Sequence, residues 1–187
     1  MNAAIQLTGL TKRFGERVAL NAISATIPTG GITGLVGPDG AGKSTLLRLL
    51  AGLLVPEAGE IRVLGLDPVR EGDALRQRLG YMPQQFGLYE DLSVQENLSL
   101  YADLRGVLEP ERTPTFARLL AFTDLARFTA RPAGKLSGGM KQKLGLACAL
   151  LGTPDVLLLD EPGVGVDPIS RRALWQMVRE LAKGGMT

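Results

Sequence analysis

The spacing of apolar and polar positions changes several times along the chain. Residues 5–10 and 18–27 alternate apolar and polar side chains, which predicts two β-strands. The run GITGLVG at 31–37 is continuously apolar and ends in glycine, a pattern typical of a buried strand. A helix is predicted to follow from Lys43 to Ala51, where Gly52 would stop it.

Strand and helix patterns continue to alternate in the rest of the chain. Further strands are predicted at 59–65, at 79–87, where the strand breaks into a loop, and at 156–160. From 93 to about 125 apolar residues recur at spacings of three and four, which predicts a helical insertion. Two more helices are predicted at 140–152 and 168–185. The alternation indicates an α/β fold with a mostly parallel sheet covered on both faces.

Composition narrows the class of protein. The 187 residues are 45% hydrophobic and 21% charged, which suits one compact α/β domain with room for a subdomain. The net charge is +2 with scattered basic residues, so we expect no nucleic-acid partner. Cys148 is the only cysteine and sits in an apolar run, which indicates a buried thiol and suits the cytosol. Because histidine is absent, a general base near neutral pH would have to be a carboxylate, or this chain supplies none.

The first glycine-rich segment, GPDGAGKS, fits the phosphate-binding pattern G-x-x-x-x-G-K-[ST] between a predicted strand and a predicted helix. Gly40 and Gly42 would let the backbone wrap the β-phosphate. Lys43 would reach the β and γ oxygens, and the Ser44 hydroxyl would bind Mg²⁺. The alternative is an ordinary turn, which the combination of motif and context disfavours.

The nucleotide-binding residues predicted from this loop are Gly37, Pro38, Asp39, Gly40, Ala41, Gly42, Lys43, Ser44 and Thr45. Asp39 fits least well, because a carboxylate in a phosphate-binding loop is repelled unless it points outward. We therefore expect Asp39 to be tolerated there without a function of its own.

The strand VLLLDE supplies the predicted metal ligand and base. Asp160 would hold Mg²⁺ through water, and Glu161 would polarise the attacking water. Gln84, in the loop after GYMP, is a candidate metal ligand and sensor of the γ-phosphate. Taken alone, the two acids could be a solvated strand end and Gln84 a surface amide.

A second glycine-rich helix start occurs in KLSGGMKQKLG at 135–145. Ser137 could be a simple N-cap, and Gly138 and Gly139 a simple turn. The same residues could instead offer a hydroxyl and backbone N–H groups to an anion.

Together these motifs resemble the nucleotide-binding domains of ABC transporters. In chain order, GPDGAGKST resembles Walker A, YMPQQ the Q-loop, LSGGM the signature LSGGQ, VLLLDE Walker B, and GVGVD the D-loop. The sequence in and around these motifs is most similar to ATPase subunits of ABC-2 type exporters, notably the bacterial YbhF type, in which two such domains are fused in tandem. Departures are Met140 for the usual Gln and Gly163 for the usual Thr or Ser, besides Asp39 in Walker A.

The resemblance implies a P-loop NTPase with an N-terminal antiparallel β part. Residues 1–85 and 151–187 would form the ATP-binding core, and 86–150 a helical subdomain. It implies a head-to-tail dimer in which Ser137, Gly138 and Gly139 bind the ATP held by a second ATP-binding domain. By the same resemblance, Phe14 would stack on adenine and Asp167 would connect the two sites.

The resemblance further implies a function: a cytoplasmic ATPase that uses ATP and Mg²⁺ to drive export. It would sit on the inner face of the membrane through ABC-2 type transmembrane subunits, docked by its helical segment. The alternatives are a non-transport ABC ATPase acting on DNA or ribosomes, and an unrelated P-loop GTPase or kinase. Against them stand the lack of sustained heptads, the lack of an N-K-x-D motif and the full LSGG.

The last helix pattern ends on a glycine pair at 184–185, and a strand usually follows such a helix. We therefore expect a fragment that ends before the domain is complete and before the family's switch histidine. Such a chain alone is expected to be inactive or very slow.

Overall fold

The computed structural model describes residues 3–85 and 87–187. Its five strands are β1 (Ala3–Phe14), β2 (Arg17–Pro28), β3 (Ala58–Val63), β4 (Leu79–Met82) and β5 (Val156–Leu159). Its six α-helices are α1 (Lys43–Leu50), α2 (Gly72–Arg78), α3 (Val94–Leu104), α4 (Arg112–Phe122), α5 (Gly138–Ala149) and α6 (Pro168–Lys183). Two 3₁₀ turns lie at Ala126–Phe128 and Ala133–Lys135. Among the described residues, no helix is both long enough and apolar enough to cross a membrane.

The N-terminal strands form an antiparallel sheet in the order β2-β1-β3. Alternation along β1 places Ile5 and Leu7 in the core, where α1 also contributes Leu49 and Leu50. The hairpin between β1 and β2 turns at Gly15, whose φ of 58° suits glycine.

Strands β4 and β5 form a parallel pair that aligns the ends of both strands. The register pairs Leu79 with Val156 and Met82 with Leu159, and the Asp160 N–H donates to the Met82 carbonyl at 2.9 Å. Because the carboxyl ends of parallel strands meet at one edge, the residues after Met82 and after Leu159 lie side by side. This edge carries the candidate site.

The strand predicted at 31–37 is not formed. All its residues are described, and none is assigned to a strand; Val36 is 92% exposed. A strand needs a hydrogen-bonded neighbour, yet residues 31–36 and β5 face each other across an apolar cleft of about 680 Å³. The parallel pairing in the described ranges 3–85 and 87–187 is thus limited to β4 and β5. Helix α2 was not predicted, whereas the other predicted strands and helices are present.

Two hydrophobic clusters organise the described residues. One contains the antiparallel sheet, α1 and the inner side of β4 and β5. The other contains α3, α4 and α5, with Met82 and Leu174 packed against them. Residues 1, 2 and 86, which the predicted domain bounds include, lie outside the described residues.

Candidate functional site

The loop from Gly37 to Gly42 leads into α1 through glycines that no other residue could replace without strain. Gly40 has a φ of 77° and Gly42 a φ of 91°. A Cβ on Gly42 would lie 2.4 Å from the Ala19 carbonyl oxygen. The loop therefore presses its backbone against β2, with the N–H groups at the start of α1 free of side-chain caps.

Lys43 folds its side chain back over this loop. Its Nζ donates to the carbonyls of Gly37 and Pro38, both at 3.0 Å. It also lies 3.7 Å from Glu161 Oε1 and 3.9 Å from Asp39 Oδ1. The Asp39 side chain is fully exposed, so its carboxylate points toward solvent. The Lys43 ammonium group thus faces a loop whose backbone N–H groups can bind an anion.

Ser44 and Asp160 join α1 to the end of β5. The Ser44 hydroxyl donates to Asp160 Oδ1 at 2.9 Å. Asp160 is only 2% exposed, and its Oδ2 is buried without a hydrogen-bond partner among the described residues. A buried carboxylate that accepts one hydrogen bond has unused acceptor capacity and a largely uncompensated charge.

Gln84 and Glu161 meet because β4 and β5 are paired in parallel. Gln84 Nε2 donates to Glu161 Oε2 at 2.9 Å. Glu161 has a φ of 50°, a conformation uncommon outside glycine, which turns its side chain toward Lys43. Five predicted residues from three separate segments therefore lie in one cluster: Lys43, Ser44, Gln84, Asp160 and Glu161.

The donors in this cluster fit a magnesium ion bound together with a phosphate. Described residues include no group of three or more His, Cys, Asp or Glu able to hold a metal by themselves. Magnesium commonly uses one or two carboxylates and takes its other ligands from phosphates and water. The buried carboxylate of Asp160, with the Ser44 hydroxyl beside it and the Gln84 amide near Glu161, matches that donor set.

The hairpin of β1 and β2 reaches the same loop. Arg17 Nη2 donates to the Gly40 carbonyl at 3.4 Å, and Arg17 pairs with Phe14 across the hairpin. Phe14 is half exposed, and Lys12 Nζ lies 5.4 Å from its ring centroid. An exposed aromatic face thus stands beside the hairpin tip that contacts the loop. The sequence analysis did not predict a role for Arg17, because no motif around it distinguishes it from the other arginines of the chain.

The remaining loop residues have local roles. Ala41 donates its N–H to the Pro38 carbonyl at 3.2 Å, which closes a tight turn. Thr45 lies in the first turn of α1.

The second glycine-rich segment lies apart from this cluster. Ser137 caps α5, since its hydroxyl accepts from the Met140 N–H at 3.3 Å. A Cβ on Gly138 would lie 3.2 Å from the Gly165 carbonyl, and one on Gly139 would lie 2.4 Å from Ser170. Gly139 is thus required by packing inside this chain. Its neighbours among the described residues are Val166, in the loop before α6, and Ser170, in the first turn of α6; neither belongs to the Lys43 cluster.

Asp167 caps α6 by accepting from the N–H groups of Ile169 at 3.0 Å and Ser170 at 2.9 Å. The hydrogen bonds from Ser170 lower the pKa of Asp167 below its ordinary value. An open depression of about 650 Å³ lies between this loop and α6, lined by residues 161–166, Arg171 and Trp175.

Tyr81 is a partly buried residue near the site that the sequence analysis missed. Its hydroxyl has no hydrogen-bond partner among the residues described. Burial is the main cause that raises the pKa of Tyr81, and the charges of Asp160 and Arg48 also act on it. A tyrosine within an apolar strand looks like core, so the sequence offered no signal.

Comparisons with known proteins identify the family of this chain. The family described as ABC transporter matches residues 20–164. The probable multidrug ABC transporter ATP-binding protein YbhF of Escherichia coli (strain K12) is 65% identical over 99% of this chain and 32% of its own length. The daunorubicin resistance ATP-binding protein DrrA3 of Streptomyces coeruleorubidus is 40% identical over 100% of this chain and 59% of its own length. This chain spans about a third of the first relative and less than two thirds of the second.

A solved structure confirms the predicted fold class. The ATP-binding subunit of an ABC transporter superimposes with a TM-score of 0.85 at 30% identity, covering 98% of this chain and 76% of that one. The resemblance predicted from the ordered motifs, including the YbhF type, is confirmed as well.

Proposed function

The chain belongs to the ABC transporter family, and from this premise we propose that it binds MgATP and hydrolyses it to drive an exporter. The observation that carries the proposal is the cluster in which Ser44 meets the buried Asp160 while Lys43 and Gln84 converge on Glu161. This cluster offers a cation for phosphate, oxygen ligands for a metal ion, and a carboxylate for the attacking water.

The loop and Lys43 would hold the phosphates. The glycines of the loop leave the backbone N–H groups at the start of α1 open to an anion, and the helix dipole favours negative charge at that point. Lys43 would exchange its two carbonyl acceptors, Gly37 and Pro38, for phosphate oxygens. Phe14, at the neighbouring hairpin, would stack on the adenine base.

Ser44, Asp160 and Gln84 would hold magnesium, whose chemistry is to neutralise charge on the transferred phosphoryl group. Glu161 would orient and polarise the attacking water. Its positive φ and its contacts with Gln84 and Lys43 support that role, because they fix the carboxylate without burying it. No histidine in the chain competes for this task.

The signature residues Ser137, Gly138 and Gly139 would act on the ATP that a second copy of the domain binds. Ser137 and the N–H groups at the start of α5 would contact the γ-phosphate held by the partner's loop, and Asp167 would lie between the two sites. The exposed helix start and the open depression beside residues 161–166 support an interface on this side. The second domain would be another copy or a tandem domain.

The proposed membrane partners are ABC-2 type transmembrane subunits, which would keep the protein on the cytoplasmic face of the membrane. The names of the relatives support export: one is called a probable multidrug transporter protein and another a daunorubicin resistance protein. We assign residues 86–150 to a helical subdomain that docks these subunits and the rest to the ATP-binding core, a division that the two hydrophobic clusters support. Exposed Tyr89, Leu104 and Leu108 provide apolar docking surface.

Two variants of the full-length protein test the proposal. Lys43→Ala should weaken MgATP binding by about 10- to 100-fold, the value of a charge-assisted hydrogen bond, by calorimetry. Glu161→Gln should keep binding but slow phosphate release by about 10²-fold or more. Lys183→Ala, at the exposed end of α6, is the control and should change neither quantity. Unchanged affinity in the first variant, or normal turnover in the second, would contradict the assignment.

A further inference from the structure

Two unpaired polar atoms lie buried close to the candidate magnesium site. The Tyr81 hydroxyl and Asp160 Oδ2 both lack a hydrogen-bond partner among the described residues and are shielded from solvent. Buried polar groups are nearly always paired, so each such atom needs an explanation. Here one is a donor and the other an acceptor.

The strand register places these two side chains on the same face of the parallel pair. Tyr81 in β4 is aligned with Leu158 in β5, and Asp160 follows Leu158 by two residues. Side chains two residues apart on a strand point the same way, so Asp160 is the diagonal neighbour of Tyr81. Both charged groups that act on the tyrosine hydroxyl, Asp160 and Arg48, belong to this region.

Helix α1 covers this face and supplies the remaining groups. Ser44 and Arg48 are four residues apart and therefore lie one turn apart on the same side of the helix. Ser44 donates to Asp160 Oδ1 at 2.9 Å, and Arg48 lies one turn farther along, toward Tyr81. The carboxylate of Asp160 is thus held at one oxygen only.

We propose that Tyr81 is a positioning residue of the magnesium site, whose hydroxyl donates to Asp160 Oδ2 when the metal is bound. This inference rests on the proposed function, in which Asp160 and Ser44 hold magnesium. A hydrogen bond from Tyr81 to Oδ2 prevents rotation of the carboxylate. Oδ1 then continues to accept the hydrogen bond from the Ser44 hydroxyl. The Ser44 lone pairs then stay directed at the cation. Groups that orient metal ligands in this way typically change metal affinity by 10- to 100-fold when removed.

The test is Tyr81→Phe, which removes the hydroxyl and keeps the ring. ATP affinity of the full-length protein is measured by calorimetry in EDTA and across a MgCl₂ titration. We expect unchanged affinity in EDTA and a rise of about tenfold in the MgCl₂ concentration needed for half-maximal tightening. The melting temperature without metal should not fall, since no partner for the hydroxyl lies within hydrogen-bond distance among the described residues. Tyr101→Phe is the matched control: it removes a hydroxyl that donates to the Gly87 carbonyl at 2.7 Å, outside the candidate site, and should leave the MgCl₂ requirement as in the wild type.

A double variant separates positioning from a general packing effect. In an Asp160→Asn background the carboxylate is gone, so adding Tyr81→Phe should leave the ATP affinity, measured at one high MgCl₂ concentration, the same as in Asp160→Asn alone. An equal additional loss in that background, or a wild-type MgCl₂ requirement in Tyr81→Phe alone, would overturn the inference while leaving ATP binding by the wild type intact. Failure of the wild type to bind ATP more tightly with MgCl₂ would instead overturn the proposed function, and this inference with it.

Discussion

Asp160→Asn should stabilise the metal-free protein while removing its response to magnesium. The wild-type carboxylate is 2% exposed and accepts one hydrogen bond, from Ser44. Asparagine has nearly the same shape. Its Oδ1 can keep the bond from Ser44, and its Nδ2 can donate to the Tyr81 hydroxyl, which has no partner among the described residues.

The magnitude follows from three contributions. Changing the Ser44 bond from a charged to a neutral acceptor loses about 1 kcal/mol. The new bond to Tyr81 gains about 1 kcal/mol. Removing a poorly paired buried charge relieves part of a desolvation penalty of several kcal/mol, of which we count about 2 kcal/mol. The net gain of about 2 kcal/mol corresponds to a rise of about 4–8 °C in melting temperature for a chain of this size.

The assay is differential scanning calorimetry of both proteins in EDTA and in MgCl₂ with saturating ATP. Ligand at 100 times its dissociation constant stabilises the wild type by about 2.7 kcal/mol, so magnesium and ATP should close or reverse the difference between the two proteins. A variant that melts below the wild type in EDTA would refute the reasoning, because Asp160 would then be well compensated by the fold. A variant that keeps the full stabilisation by magnesium would remove Asp160 from the metal site.

Three further predictions concern single positions. Gly42→Ala should abolish ATP binding by calorimetry and destabilise the fold by about 1–3 kcal/mol in urea unfolding, because its Cβ would lie 2.4 Å from the Ala19 carbonyl at a positive φ. Gly138→Asp should leave ATP affinity within about threefold, or ~0.7 kcal/mol, yet eliminate ATP-dependent dimers in light scattering. Gly138→Ala is its control for the contact with the Gly165 carbonyl. Burial raises the pKa of the Cys148 thiol, so iodoacetamide at pH 8 should alkylate native protein at least about tenfold more slowly than unfolded protein, by mass spectrometry.

The cluster of predicted residues could be anticipated because each member marks the end of a strongly patterned element. VLLLDE predicted that Asp160 ends a buried strand, and GPDGAGKS that Ser44 opens a helix. Their hydrogen bond at 2.9 Å joins positions 116 residues apart. For these two elements the sequence pattern predicted the type, and the rule that parallel strands end at the same edge of a sheet brings Asp160 close to Gln84.

Other features depend on tertiary neighbours that the sequence pattern does not encode. The run at 31–37 has the apolar content of a strand. In the described structure it lies beside no strand with which its backbone could form hydrogen bonds, so it is not assigned as a strand. Helix α2 was missed because it is seven residues long and buries only Leu75. The orphaned Tyr81 hydroxyl escaped notice because burial of a polar atom is visible only once the surrounding elements are in place.

The two glycine-rich helix starts differ in what demands their glycines. At the first, Gly42 is required by its own φ of 91° and by the backbone of β2. At the second, Gly139 is required by Ser170, but Gly138 has no positive φ, and among the described residues the one atom close to a Cβ placed there is the Gly165 carbonyl oxygen, at 3.2 Å. Packing within this chain therefore explains Gly138 least. The proposed contact of the Gly138 N–H with a phosphate held by a second domain would account for glycine there, because a side chain at the start of α5 would hinder the close approach of the backbone.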